Sequence, residues 1–280
     1  MHQYERHDAS PTGMVRTMFR HRGLLRRMLV RDVAQRYRGS ALGLLWSFVT
    51  PLLMLAVYTI VFSVVFKARW VSRTGEATLP ETGEFALILF CGLILHAFFA
   101  DCLSRAPHII LGNANFVKKV IFPLEILPVV AVGSAGFHFL MSLSVLLVAQ
   151  WLQQGTVPLT ALLLPVVLAP FGMLALGVTW ILASIGVYLR DISQIIGLAV
   201  TVLLFLSPVF YPPESLPEMW RPYLILNPLT IIIENVRAVL LWGAMPDWRM
   251  LGYYTVAAAL VMLLGFAWFQ KTRKGFADVV

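Results

Sequence analysis

Apolar positions in this chain run in long unbroken blocks, neither alternating as in a strand nor striped as in a soluble helix. A helix needs about 20 apolar residues to cross a hydrocarbon layer of roughly 30 Å. Six blocks approach or exceed that length: 42–66, 85–103, 124–149, 159–188, 192–210 and 250–269. They predict an all-α polytopic membrane protein with a six-span domain over 41–270, an N-terminal segment 1–40 and a tail 271–280. A further apolar stretch, 222–244, is broken by Asn227-Pro228 and carries Glu234 and Arg237. Proline ends a helix and disfavours helical backbone in the residue before it. With the proline-rich run from Ser207 to Pro213, the stretch therefore reads as two short re-entrant helices, about 213–244, that do not cross. Asn227 either caps the second of them or only marks the break.

Composition and charge agree with a membrane protein. Only 13% of the 280 residues are charged, about half the share in a soluble domain. No charge occurs in the 64 residues between Glu125 and Arg190. That composition excludes a nucleic-acid-binding domain despite the net charge of +8, which is uneven, with nine of the 22 Lys and Arg before residue 40. Lys and Arg are retained in the cytoplasm. Six spans place 16 of them in the predicted inside segments and 6 outside, so both termini are expected to be cytoplasmic. The polar, Arg-rich residues before the first block make that block an internal span rather than a cleaved leader.

Two polar-flanked segments on the predicted inner side carry their own periodicity. Over 14–38, Met14, Met18, Leu25, Met28, Leu29 and Val33 recur at roughly helical spacing, with Arg16, Arg20, Arg26, Arg27 and Arg31 on the remaining surface. That predicts an amphipathic helix, started at Ser10-Pro11 and stopped at Gly39-Ser40, suited to an anionic inner leaflet. Alternatively it is a topology signal alone. In the loop 111–122, Phe116, Val117, Val120 and Ile121 share one side while Lys118 and Lys119 project elsewhere, and Pro123 follows. A short helix with an exposed apolar side should dock on a partner or on the lipid interface.

Catalytic constellations are missing from the sequence. It has no G-x-x-x-x-G-K-[ST] loop for nucleotide phosphates, no H-E-x-x-H and no G-x-S-x-G. Cys91 and Cys102 lie at or in one apolar run and read as buried small residues, neither disulfide framework nor metal site. A self-powered carrier would need acidic groups at mid-membrane. Here Asp101 is expected to pair with Arg105 four residues on, and His138 reads as a hydrogen-bonded core imidazole rather than a proton relay. His96 lies with Asp101 near the end of the second span.

Several blocks in order resemble the polysaccharide-exporting ABC permeases, the membrane subunits that export O-antigen, teichoic acid and related polymers. They are Arg31-Asp32-Val33, Arg36-Tyr37-Arg38-Gly39-Ser40, Leu42-Gly43-Leu44-Leu45-Trp46 and Pro51-Leu52. The similarity continues through Asn115 to Lys118, Phe122-Pro123, Glu125 to Pro128, Leu189-Arg190-Asp191-Ile192, Ser207-Pro208-Val209-Phe210-Tyr211, Asn227-Pro228 and Phe276-Ala277-Asp278. It implies a half-transporter of the bacterial inner membrane, working as a homodimer with two copies of a separate ATPase that holds ATP and Mg. No cofactor or metal would bind this chain, and it would not itself be an enzyme. The substrate would be a lipid-linked polysaccharide, O-antigen-like before capsule or teichoic acid, threaded through a tube between the two copies. The basic N-terminal helix would be the family's interface helix. Arg31, Tyr37, Arg38, Gly43 and Trp46 would shape the cytoplasmic mouth. Asn115, Phe116, Lys118, Lys119, Val120 and Phe122 would form the coupling helix on the ATPase. Tyr211, Asn227, Pro228, Glu234 and Arg237 would belong to the outer gate, with Glu234 and Arg237 either paired on one helix face or snorkelling to the interface. The 18 Phe, 8 Tyr and 8 Trp could supply aromatic walls for sugar faces. Exporters of lipids or drugs, and a non-conducting membrane scaffold, are the alternative classes.

Overall fold

The computed structural model describes residues 11–65, 84–117 and 122–279. Every regular element among them is helical. Two short helices open the chain, α1 (Pro11–Arg20) and α2 (Arg22–Arg36), broken at His21 where one continuous helix was expected. Their arginines at 16, 20, 26, 27 and 31 are exposed, or half-exposed in no case, while Met14, Met28 and Val33 are buried. The apolar stripe of this segment therefore packs on the protein and its basic face is exposed. Gly39 and Gly43, at φ 85° and 53°, turn the chain from α2 into the first long helix. Only glycine adopts that backbone without steric cost.

That helix, α3 (Trp46–Tyr58), is preceded by a 3-10 turn at Gly43–Leu45 and prolonged by a wider π-type segment at Thr59–Val65. Next come α4 (Glu84–Arg105), the short α5 (Ala114–Val117), α6 (Ile126–Gln154) and α7 (Leu164–Tyr188). The chain closes with α8 (Ile192–Leu206), α9 (Thr230–Leu240), α10 (Trp248–Thr272) and α11 (Phe276–Val279). Among the described residues, five helical stretches are long and apolar enough to cross a membrane: Gly43–Phe62, Glu84–His108, Ile126–Gln154, Leu159–Tyr188 and Trp248–Val279. The predicted fifth span is shorter than expected. Its helix stops at Leu206, because Ser207 is extended (ψ 150°) ahead of Pro208, and 15 residues rise only about 22 Å.

Local chemistry sets the other boundaries. Gly155, at φ 72°, ends α6 with its N–H on the Trp151 carbonyl, the left-handed stop that glycine favours. Asp247 caps α10 by accepting from the N–H groups of Arg249 and Met250. The stretch 213–226 forms 3-10 turns at Pro213–Ser215 and Arg221–Leu226 in place of a first re-entrant α-helix. The second re-entrant helix is present as α9, whose 11 residues rise about 16 Å and cannot cross.

The packing has a clear centre. In α4, Phe85 through Gly92 are all buried, and α3, α6, α7, α8 and α9 surround it. In contrast α3, with the turn before it, and α8 leave Leu44, Leu52, Val57, Leu198 and Phe205 exposed, an apolar surface for lipid or another chain. At α7 and α10 the backbones meet across Gly177 and Gly265 with no room for a side chain between them. The end of the bundle carrying α2, residues 106–117 and 122–125 and the 189–191 turn also carries α11. It is called the terminal end below. The far end carries the 155–158 turn, 207–229 and 241–247.

Candidate functional site

Three places at the two ends of the bundle gather the residues singled out from sequence. At the terminal end, the turn after α2 sets Tyr37 and Trp46 over a cavity of about 510 Å³ between α3, α4 and α6. Ser47, Thr50, Phe98 and His138 share its lining. The Ser40 hydroxyl donates to the Tyr37 carbonyl at 2.9 Å, which holds the turn. The Tyr37 hydroxyl is hydrogen-bonded to His138 Nδ1 at 3.0 Å, with the rings edge to face. His138 is thus a bonded core imidazole on that side, and its buried Nε2 has no partner among the described residues. Burial pushes the Tyr37 phenol up, opposed by the Arg36 cation and assisted by Asp101. Arg38 is exposed beside this mouth. Aromatic faces and hydroxyls around a cavity of this size can hold a polar ligand with apolar faces, as a sugar is.

A second cavity, about 410 Å³, lies along α2 and includes Arg31, Gln35, His108 and Asn113. Between the two runs a chain of ion pairs that the sequence did not disclose. Arg105 donates to Asp32 at 2.7 Å and Arg36 donates to Asp101 at 3.1 Å. The expected pair between Asp101 and Arg105 exists but is the longest, at 4.0 Å. The stronger partners are therefore on α2, so this network joins the N-terminal helix to α4.

The 111–122 loop enters by a 3-10 turn at Leu111–Asn113 and continues as α5. Asn115 is exposed on it. Phe116 and Phe122 stack face to face, centroids 4.4 Å apart and 13° from parallel. Phe122 is outside any helix, so it does not extend the helix of Phe116 but turns back onto it. The Arg31 guanidinium lies 6.0 Å from the Phe116 ring centre, over its face. Lys118, Lys119 and Val120 fall outside the described residues.

The far end is tied together by Arg237. This side chain is completely buried, so it does not snorkel. Nε and Nη2 both donate to the Ile88 carbonyl of α4, at 3.2 and 3.1 Å. Nη1 donates to Pro208 O at 2.7 Å, and Nη2 also to Val209 O at 3.1 Å. The expected pair with Glu234 is formed at 3.0 Å. Asn227 bonds across to Ser207, its Nδ2 donating to Oγ at 3.0 Å, while its Oδ1 accepts from Leu229 N–H at 2.9 Å. It therefore braces the approach to α9 rather than capping its first turn. Tyr254 on α10 donates to the Pro228 carbonyl at 3.0 Å, and Tyr211 to the Phe205 carbonyl at 3.2 Å. Arg237 clamps α9, α4 and the Ser207–Val209 bend with one planar donor fork.

These sites lie on a chain whose residues 23–241 match the model of the ABC-2 type transporter family. The chain belongs to the ABC-2 type transporter family. Three relatives of this ABC-2 chain illustrate the company it keeps. It is 28% identical to the O-antigen export system permease protein RfbA of Myxococcus xanthus over 95% of this chain and 99% of that protein. Against an RfbA of Klebsiella pneumoniae the identity is 24%, covering 89% of this chain and 92% of the relative. The polysialic acid transport protein KpsM of Escherichia coli is 21% identical over 88% of this chain and 92% of its own. The family match covers all three places described: the mouth around Tyr37 and Trp46, the 111–122 loop and the Arg237 clamp.

Proposed function

We propose that this chain is the membrane subunit of an ATP-driven exporter of a lipid-linked polysaccharide, O-antigen-like and related to capsule polymers. The similarity to O-antigen permeases along nearly the whole of both chains carries this reading. The chain works as a homodimer with two copies of an ATPase subunit in the bacterial inner membrane, and ATP and Mg stay on those partners. It crosses the membrane six times, the short α8 and its extension through Ser207–Phe210 making the fifth crossing, with both termini cytoplasmic. The exposed apolar faces of α3 and α8 leave room for a second copy. Sugars present C–H faces and hydroxyls together, and the mouth with Tyr37, Trp46, Ser47 and Thr50 offers matching chemistry. Deleting the gene should strip polysaccharide from the cell surface and leave lipid-linked polymer inside, both reversed by this chain with its ATPase. Normal surface polymer in the deletion strain would reject the proposal.

Two further outcomes follow from the same reading. Cysteines placed at 271–279 should resist a membrane-impermeant thiol reagent in intact cells and react after lysis; labelling in intact cells would reverse the orientation. Phe116 stacks on Phe122 at the foot of the loop that meets the ATPase. Losing the burial of one such ring costs about 1.5–3 kcal/mol. Phe116→Asp should insert normally, co-purify with less ATPase and fail to export. Parental export by that variant would remove the loop from coupling.

A further inference from the structure

Glu125 and Arg273 are 148 residues apart and form a buried ion pair at 2.6 Å, with side chains only 7% and 12% exposed. The Arg273 fork is used twice, because its other terminal nitrogen donates to the Phe122 carbonyl at 2.7 Å. Both bonds land on the segment that leaves the 111–122 loop. Around them the terminal end is fastened further. Trp180 of α7 donates to the Glu125 carbonyl at 3.1 Å, and Tyr188 donates to the Thr272 carbonyl at 3.0 Å. Phe276 is fully buried against Phe269 and Tyr188.

Arg273 directly continues α10, and no break interrupts that helix back to Trp248. At 25 residues it is a rod of about 38 Å. Its far end is bonded to α9, where the Asn235 side-chain oxygen accepts from Asp247 N–H at 2.7 Å. A displacement at Phe122–Glu125 is therefore applied to one end of a rod whose other end holds the helix of Arg237.

We infer that the Glu125–Arg273 pair is a strut that passes movement of the 111–125 loop into α10 and on to α9, making both side chains positioning residues for transport. This rests on the proposed role of the loop as the contact with the ATPase. A lone packing contact would need neither the charge nor the fork. The strut needs both, since the fork grips Glu125 and the loop backbone at once.

The test compares ATP hydrolysis by the purified permease–ATPase complex with surface polysaccharide on intact cells, detected by periodate oxidation and hydrazide labelling. Arg273→Ala should assemble and hydrolyse ATP near the parental rate while export per ATP falls about tenfold. Arg273→Lys keeps the charge on Glu125 but cannot also reach Phe122 in the same geometry, so its export per ATP should be intermediate. Exchanging the charges, Glu125→Arg with Arg273→Glu, should recover part of the loss. Phe276→Ala, a packing change in the same tail, should lower complex yield without changing export per ATP. If Arg273→Ala folds poorly, Arg273→Lys carries the test. Parental export per ATP in both Arg273 variants overturns the strut, as does a fall in yield alone that matches Phe276→Ala. A parent complex that exports no polysaccharide would overturn the proposed function, and the strut with it.

Discussion

Replacing Arg237 by alanine should be among the most damaging single changes in this chain. Arg237 is completely buried and its guanidinium serves Ile88, Pro208, Val209 and Glu234. Removal takes donors away from the Ile88, Pro208 and Val209 carbonyls and the Arg237 cation away from Glu234. A buried acceptor left unmet costs about 1–3 kcal/mol, and the lost pair, with Glu234 30% exposed, less than the about 3–5 kcal/mol of a fully buried one. Those costs are not additive, but either one is comparable with much of a domain's stability. Arg237→Ala should therefore give little folded protein. Arg237→Lys keeps a charge for Glu234 yet cannot reach α4 and the Ser207–Val209 bend together, so it should fold with a clearly lower Tm. Both are checked by thermal unfolding in detergent, with ion conductance of the polymer-free protein in a planar bilayer reporting the far-end seal. A parental Tm and parental conductance in Arg237→Ala would show that the clamp carries no load.

Gly265→Ala should be nearly as severe, for a purely steric reason. A Cβ there would run into the Gly177 carbonyl oxygen, and one on Gly177 would meet the α10 backbone at Met262, 2.6 Å away. Backbone cannot yield as a side chain can, so α7 and α10 would have to separate. Membrane helices associate through such close backbone approach, because lipid gives little hydrophobic drive between them. Overpacking costs typically 1–3 kcal/mol, occasionally more. A larger residue, Gly265→Val, should abolish folded yield in detergent extracts. Gly252, with open space around its Cβ position, is the control and should accept alanine.

Hydropathy made most of the helices readable, since a crossing segment must be apolar over its whole length. The boundary errors have local causes. One helix expected over 14–38 became two at His21, and the predicted fifth span lost its last turn to the Ser207-Pro208 bend. Arg237 was noticed because a charge in an apolar stretch stands out, but its carbonyl partners were not foreseeable. Backbone acceptors leave no mark in side-chain pattern. The Asp32–Arg105 and Glu125–Arg273 pairs were hidden for another reason. Each joins residues 73 or 148 positions apart, and nothing in one sequence says which distant charges meet. The mouth was different again: Gly39-Ser40 was legible as a helix stop, and Gly39 takes positive φ there, but Gly43 and the other mouth residues came from the family resemblance rather than from the local pattern.

The enclosure of α4 bears on how the protein is made. Within its most apolar window 78% of residues are buried, against 17% in α3, yet its mean hydropathy of 2.2 is no lower than the 2.0 of α3. The finished molecule shields α4 from lipid with α6, α7 and α9. The ribosome delivers α4 before any of these exist. While synthesis continues, α4 has only α3 and the surrounding lipid as neighbours, and a helix with polar positions suited to its final protein contacts would be a poor candidate for insertion. The apolarity of its run from Phe85 to Leu95 answers to that early stage, when the bilayer stands in for partners that have not yet been translated.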